Sequence, residues 1–329
     1  MSVLALFFTL FSVGSLASPI AKRQAPSFVF NGDAPFTVDT GTLAAALTCP
    51  NGAPTEAAPP VLLVHGTSTT GQETWGEGYV PALSANGYTA CYVTLPGRAM
   101  GDMQVSSEYV AYGLHYISYL SGGLQTAVIG HSQGGPDTQW ALQFWPSTRT
   151  VTNSFIPLSP DFSGIDLLGS DLSKVCVGGL CQASLWQQSA GSHYYTALHA
   201  HNFAAQVPTT AIWSSSDGVV NPPKKNAQLP SAGAIAVQDL CPLRIVSHIS
   251  MPTDAAAFAL ALDALKHGGS GNLWRVLPSA WKVCFEINAP NMNVEIADQL
   301  QADLNDLING FVLGSPRVTQ EPPVMAYAQ

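Results

Sequence analysis

Charge is scarce in this chain. Asp, Glu, Lys and Arg make up 10% of its 329 residues, against roughly 25% in an average soluble protein. The twelve Lys and Arg are scattered and the net charge is −9. With no basic stripe to neutralise phosphates, a nucleic-acid partner is excluded. Long apolar runs are missing as well: Val3 to Val13 is shorter than the ~20 residues that span a bilayer. No C-x-x-C pair occurs, so the cysteines do not read as a zinc site and no metal is expected. No Asn-x-Ser/Thr sequon is present, so N-glycosylation is not expected. Nothing reads as an interdomain linker or an internal repeat, which favours one domain.

What is present begins with an export signal. The short apolar run ends at Ser15-Leu16-Ala17, small residues suited to signal peptidase, and residues 1–17 read as a signal peptide. Residues 18–23 then form a short pro-segment ending in the dibasic pair Lys22-Arg23, leaving 24–329 as a single secreted, extracellular domain. Six cysteines in such a chain suggest three disulfides. Cys176 and Cys181 could close a small loop, but sequence alone leaves ~15 connectivities open.

Apolar strands alternate with helical patterns. Pro60 to Val64, Tyr88 to Thr94, Thr126 to Ile129, Ser154 to Leu158, Val207 to Trp213 and Leu243 to Val246 read as strands. Gln104 to Leu120, a stretch around Ser184 to Phe203, Thr253 to Lys266 and Met292 to Phe311 read as helices. The alternation predicts an α/β fold with a mostly parallel central sheet and helices on both faces. Its site should lie beyond the carboxyl ends of the strands.

One motif carries chemistry. Gly130-His131-Ser132-Gln133-Gly134 follows the Thr126 to Ile129 strand and opens a helix marked by Trp140, Ala141, Phe144 and Trp145, which Pro146 ends. A G-x-S-x-G between strand and helix is a nucleophile elbow. The small flanking residues allow a sharp turn that presents Ser132, and the Gln133 backbone N–H is free at the helix start to bind an oxyanion. A serine needs a base, and the base needs a carboxylate to fix its tautomer. On such a fold both follow the serine. His248, directly after the Leu243 to Val246 strand, fits the base. Asp217, after Val207 to Trp213, fits the acid ahead of Asp161, whose alternative role is an Asx-type turn. His193, His199 and His201 share a helical stretch but not a face. Gly66-Thr67, in the loop after an early strand, fits the second oxyanion donor, through the Thr67 N–H and its hydroxyl.

With these residues in hand, the chain resembles the lipase B family of secreted fungal lipases, which have the α/β-hydrolase fold. Shared landmarks run from Leu47-Thr48-Cys49 to Tyr327. They include Gly66-Thr67 with Thr69-Thr70-Gly71, Gln104-Val105 with Glu108-Tyr109, Ser132-Gln133-Gly134-Gly135 and Pro160-Asp161. Trp186-Gln187-Gln188, Val207-Pro208-Thr209-Thr210 and Glu321-Pro322 with Met325 also match. The resemblance implies Ser132, Asp217 and His248 as the triad, and Thr67 and Gln133 as oxyanion donors. It implies that Asp161 and Gln188 line the substrate pocket, and that Cys49 pairs with Cys91 and Cys241 with Cys284, leaving Cys176 with Cys181. His131 stands where the family has a bulky Trp on the alcohol side of the pocket, and Val219 is a smaller acyl-side wall. The Cys176 to Cys181 segment looks like a small insertion at the family's lid element. The family's disulfide-bonded C-terminal tail has no counterpart after Gln329.

The expected activity is therefore cleavage of lipid esters through an acyl-enzyme, as in a triacylglycerol lipase, with transesterification when another alcohol replaces water. No cofactor is required, contact with a lipid–water interface is transient, and a monomer is expected. An esterase or polyesterase acting on short-chain or cutin-like esters would use the same chemistry. A catalytically dead hydrolase fold serving as a binding protein is the alternative from another class.

Overall fold

The computed structural model describes residues 25–165, 176, 179–294 and 316–329. The segments read as signal peptide and pro-segment, Val177 and Gly178 of the Cys176 to Cys181 insertion, and residues 295–311 of the expected last helix lie outside the described residues. A seven-stranded sheet is built from β1 (Leu47–Thr48), β2 (Pro60–Val64), β3 (Thr89–Val93), β4 (Thr126–His131), β5 (Thr152–Leu158), β7 (Thr210–Trp213) and β8 (Gly233–Ala236). Their spatial order is β1-β3-β2-β4-β5-β7-β8, with β1 antiparallel and the rest parallel. Two short strands, β6 (Cys181–Gln182) and β9 (Arg317–Val318), pair separately.

The helices of the described residues are α1 (Thr40–Ala45), α2 (Gly71–Trp75), α3 (Tyr79–Ala85), α4 (Met103–Leu120), α5 (Gly134–Phe144), α6 (Ala183–Gln187), α7 (His193–Ala200), α8 (Pro223–Asn226), α9 (Val237–Leu240), α10 (Ala255–Lys266), α11 (Leu273–Val276) and α12 (Ala280–Val283), besides short 3-10 turns. Every residue of β2 and β4 is buried, because helices cover both faces of the sheet. Successive side chains on a strand point to opposite faces, so Leu62, Val64 and Val128 pack with Tyr112, Leu114 and Trp140 of α4 and α5. Val61, Leu63 and Ile129 pack with Tyr79, Phe258 and Leu260 of α3 and α10. Local signals set the helix ends. Asp102 caps α4 through the Gln104 N–H, and Asp254 caps α10 through the Ala256 and Ala257 N–H groups. The C-terminal segment is tied back: Glu321 accepts from the first two N–H groups of α7, and Trp140 Nε1 donates to the Tyr327 hydroxyl.

Three segments depart from the sequence reading. The helical stretch around Ser184 to Phe203 is two helices, because Gly191 adopts φ 83° and Ser192 caps a new start by accepting from the Tyr195 N–H. The Val207 to Trp213 strand is confined to β7, since Pro208 has no N–H for a ladder. No strand forms at Leu243 to Val246: Leu243 is 97% and Ile245 84% exposed, and the Arg244 side chain is drawn to four carbonyls between Val283 and Ile287. The last strand of the sheet is instead β8, an edge strand too rich in Gly and Ala to stand out.

Connections from β2 and from β4 leave toward opposite edges of the sheet, so the crevice at their carboxyl ends is the topological switch point where open α/β sheets bind ligands.

Candidate active site

Ser132 sits at that crevice, directly after β4. It adopts φ 54°, a left-handed conformation that costs a non-glycine residue about 1–3 kcal/mol. The elbow tolerates no side chain at its ends: a Cβ on Gly130 would lie 2.5 Å from the Gly134 carbonyl oxygen, and one on Gly134 would strike the Val64 carbonyl. Ser132 N–H donates to the Leu158 carbonyl at 3.0 Å and its own carbonyl accepts from Gly135 N–H at 2.8 Å. Both bonds fix the turn between β5 and the start of α5. Gln133 occupies the N-cap of α5, where backbone N–H groups have no intrahelical acceptor and the helix dipole favours negative charge.

His248 and Asp217 come together from two loops. His248 Nδ1–H donates to Asp217 Oδ2 at 2.8 Å, and the other carboxylate oxygen accepts from the Val219 and Val220 N–H groups at 2.9 Å each. Burial pushes the Asp217 carboxyl up, but these three bonds and the His248 charge outweigh it and hold the group below its ordinary range. With Nδ1 committed as donor, Nε2 is the basic nitrogen of His248. The Val219 side chain is partly exposed beside this pair.

The loop after β2 meets the elbow closely. A Cβ on Gly66 would sit 2.8 Å from Ser132 Cβ and 3.4 Å from its Oγ, so glycine lets this backbone reach the Ser132 side chain. His65, fully buried, fixes the loop. Its Nε2 accepts from Leu95 N–H at 2.9 Å, which leaves Nδ1–H to donate to the Gly66 carbonyl at 2.8 Å. Burial lowers the His65 pKa to about 4, so this neutral tautomer persists at ordinary pH. In a trans peptide the carbonyl and the following N–H point in opposite directions. Holding the Gly66 oxygen toward His65 therefore turns the Thr67 N–H the other way. The Thr67 hydroxyl, expected as an oxyanion donor, faces Gln133 Oε1 at 2.7 Å and Gln188 Oε1 at 2.9 Å. Its single proton serves one of them at a time.

Gln188 is buried and also donates to Gln133 Oε1 at 3.0 Å. Asp161 is fully buried, accepts from the Tyr195 hydroxyl at 2.9 Å through Oδ2, and has no partner for Oδ1 among the described residues. Burial raises its pKa to about 6. His131 is buried against His248, with ring centroids 4.8 Å apart. His193 lies exposed at the start of α7 on Glu321, while His199 bonds the Phe162 carbonyl. Cys49–Cys91, Cys176–Cys181 and Cys241–Cys284 are bonded. The sequence reading missed Asp137. This buried carboxyl accepts from Gln133 Nε2 at 3.1 Å, and burial pushes it far above its usual range. Its signal was an acid four residues after Gln133 on an otherwise uncharged helix.

Comparison with known proteins bears on this geometry. No family model matches the chain. Lipase B of Pseudozyma antarctica is 31% identical over 320 residues, which is 95% of this chain and 90% of that protein. The crystal structure of Aspergillus fumigatus lipase B superposes with a TM-score of 0.81 at 32% identity, covering 91% of this chain and 74% of that one. A strained serine between strand and helix, a downstream His–Asp pair, and similarity spanning nearly the whole length have one reading: this chain belongs to the lipase B family, carboxylic ester hydrolases of the α/β-hydrolase fold.

Proposed function

We propose that the chain is a secreted lipase whose nucleophile is Ser132, whose base is His248 and whose orienting acid is Asp217. Ser132 Oγ attacks the ester carbonyl while His248 Nε2 takes its proton. The backbone N–H groups of Thr67 and Gln133 hold the oxyanion. His248 then protonates the departing alcohol, leaving an acyl-Ser132. Water, deprotonated by the same imidazole, releases the acid, and a second alcohol in its place gives transesterification. The observation that carries this reading is the Asp217–His248 hydrogen bond, which leaves Nε2 basic at the same carboxyl end of β4 as the strained Ser132. Residues 1–17 and 18–23, read as export and processing segments, and three disulfides support an extracellular site of action.

A water-insoluble ester is favoured over a short soluble one by the surface beside the base. The loop leading to His248 and the loop around Cys284 are joined by the Cys241–Cys284 bridge and by Arg244. They expose Leu243, Ile245, Trp281, Phe285 and Ile287. Arg244 is paired with Asp254 and Lys282 with Glu286, so this apolar surface carries little net charge. Apolar surface gathered beside a site marks contact with another apolar phase. An ester chain-length series, measured below and above each solubility limit with Ser132→Ala as control, tests the reading. Activity confined to soluble short esters overturns the lipase assignment, and a folded Ser132→Ala enzyme with full turnover overturns the nucleophile.

A further inference from the structure

The loop carrying His248 has no strand ladder to hold it, so its position depends on individual bonds. Val246 N–H donates to Ser216 Oγ at 2.9 Å, upstream of the base. On His248 itself, Nδ1 is held by Asp217 and the backbone carbonyl is held by His131 Nε2 at 2.9 Å. A carbonyl only accepts, so His131 is the neutral tautomer with its proton on Nε2. Ser132, the next residue in the chain, follows the same turn at the end of β4. One side chain therefore connects the strand that presents the nucleophile to the residue that supplies the base.

We propose that His131 is a positioning residue that fixes the His248 backbone relative to Ser132. This rests on Ser132 and His248 being nucleophile and base. The charged and titratable groups facing His131 are His248, Asp217 and His65. Burial, then the neighbouring His248, lowers the His131 pKa to about 3. His131 thus remains an uncharged donor throughout the working range, and places no cation against the imidazolium that His248 becomes during turnover. The same property makes it a poor base, although it is nearest to Ser132 in sequence. Its contribution is geometric: small displacements of a general base are costly because proton transfer needs hydrogen-bond reach.

The test compares His131→Phe, which keeps a flat ring without the donor, with His131→Gln, whose amide N–H reaches the position of Nε2. Folding is followed by near-UV circular dichroism, turnover on a soluble ester, and Ser132 activation by the rate of fluorophosphonate labelling. For His131→Phe, kcat and labelling rate should fall together by roughly 10–100-fold, with KM nearly unchanged. His131→Gln should recover most of the loss. Wild-type kcat in folded His131→Phe, equal losses in both variants, or a loss confined to KM would overturn the proposal. If His131→Phe does not fold, His131→Asn replaces it, since its amide falls one methylene short, and equal kcat for Asn and Gln then overturns the proposal. A folded His248→Ala control separates the two levels. If it is inactive while His131→Phe is unimpaired, the positioning role alone fails. If it is active, the triad itself fails.

Discussion

Asp217 and Asp161 are both buried carboxyls near His248, yet their surroundings drive them in opposite directions. Asp217 is held ionised by His248 and two backbone N–H groups; Asp161 has one hydroxyl donor and an unpartnered oxygen. Asp217→Asn should therefore lower kcat by roughly 10³–10⁴-fold with the fold intact, because the single amide oxygen is claimed by the Val219 and Val220 N–H groups and the NH2 turned toward His248 donates, which favours the wrong His248 tautomer. Steady-state rates alongside thermal unfolding check it. For Asp161 the folded pKa, about 6, lies above the 3.8 of an unperturbed aspartate. Its carboxyl thus favours folding most below pH 3.8, and that contribution is lost as pH rises through 6. Asp161→Asn, always neutral, should gain stability relative to the parent as pH rises from 4 to 8, by on the order of 2 kcal/mol. Denaturant midpoints at the two pH values measure this, and an equal difference at both rules it out. The elbow turn at Ser132 and the pairing of Asp217 with His248 were expected from chain order, and both contacts are present, although the strand expected ahead of His248 does not form. The roles of His65, His131 and Asp137 were not legible in sequence, since each acts through a backbone or amide group brought near only by folding.

Among the elements, legibility followed burial. Strands β2, β4 and β5 and helices α4, α5 and α10 were readable because burial on one or both faces writes a long apolar pattern. The Leu243 to Val246 run misled because only Val246 is buried while Leu243 and Ile245 face outward, and Arg244 inside it makes the bonds that hold the loop. Arg244 Nε bonds Asp254, the N-cap of α10, while its other nitrogens reach the carbonyls of Val283, Cys284, Glu286 and Ile287. A compact ammonium cannot span these partners as a planar guanidinium does. Arg244→Lys is expected to reduce kcat roughly tenfold through a misplaced His248 loop while the helical content stays unchanged. Circular dichroism and rates on a soluble ester test this, and an unaltered kcat would show that the loop is held by other means.

On the scale of the whole molecule, sparse charge, a net charge of −9 and the apolar residues exposed on the loops bridged by Cys241–Cys284 fit the proposed action on neutral, water-insoluble esters. Leu243→Ser with Phe285→Ser should cut turnover of an emulsified long-chain ester several-fold while a soluble short-chain ester is hydrolysed as before. Equal effects on both substrates would make these residues part of loop folding, with no role at an interface. The same apolar surface rests on the bridge between Cys241 and Cys284, which closes a span of 43 residues and borders the base-bearing loop. A reductant acting on that bridge would slacken the loop while leaving the central sheet paired. Turnover should then disappear at a lower dithiothreitol dose than global structure does, making this catalyst one whose working life is set by the thiol poise of its surroundings.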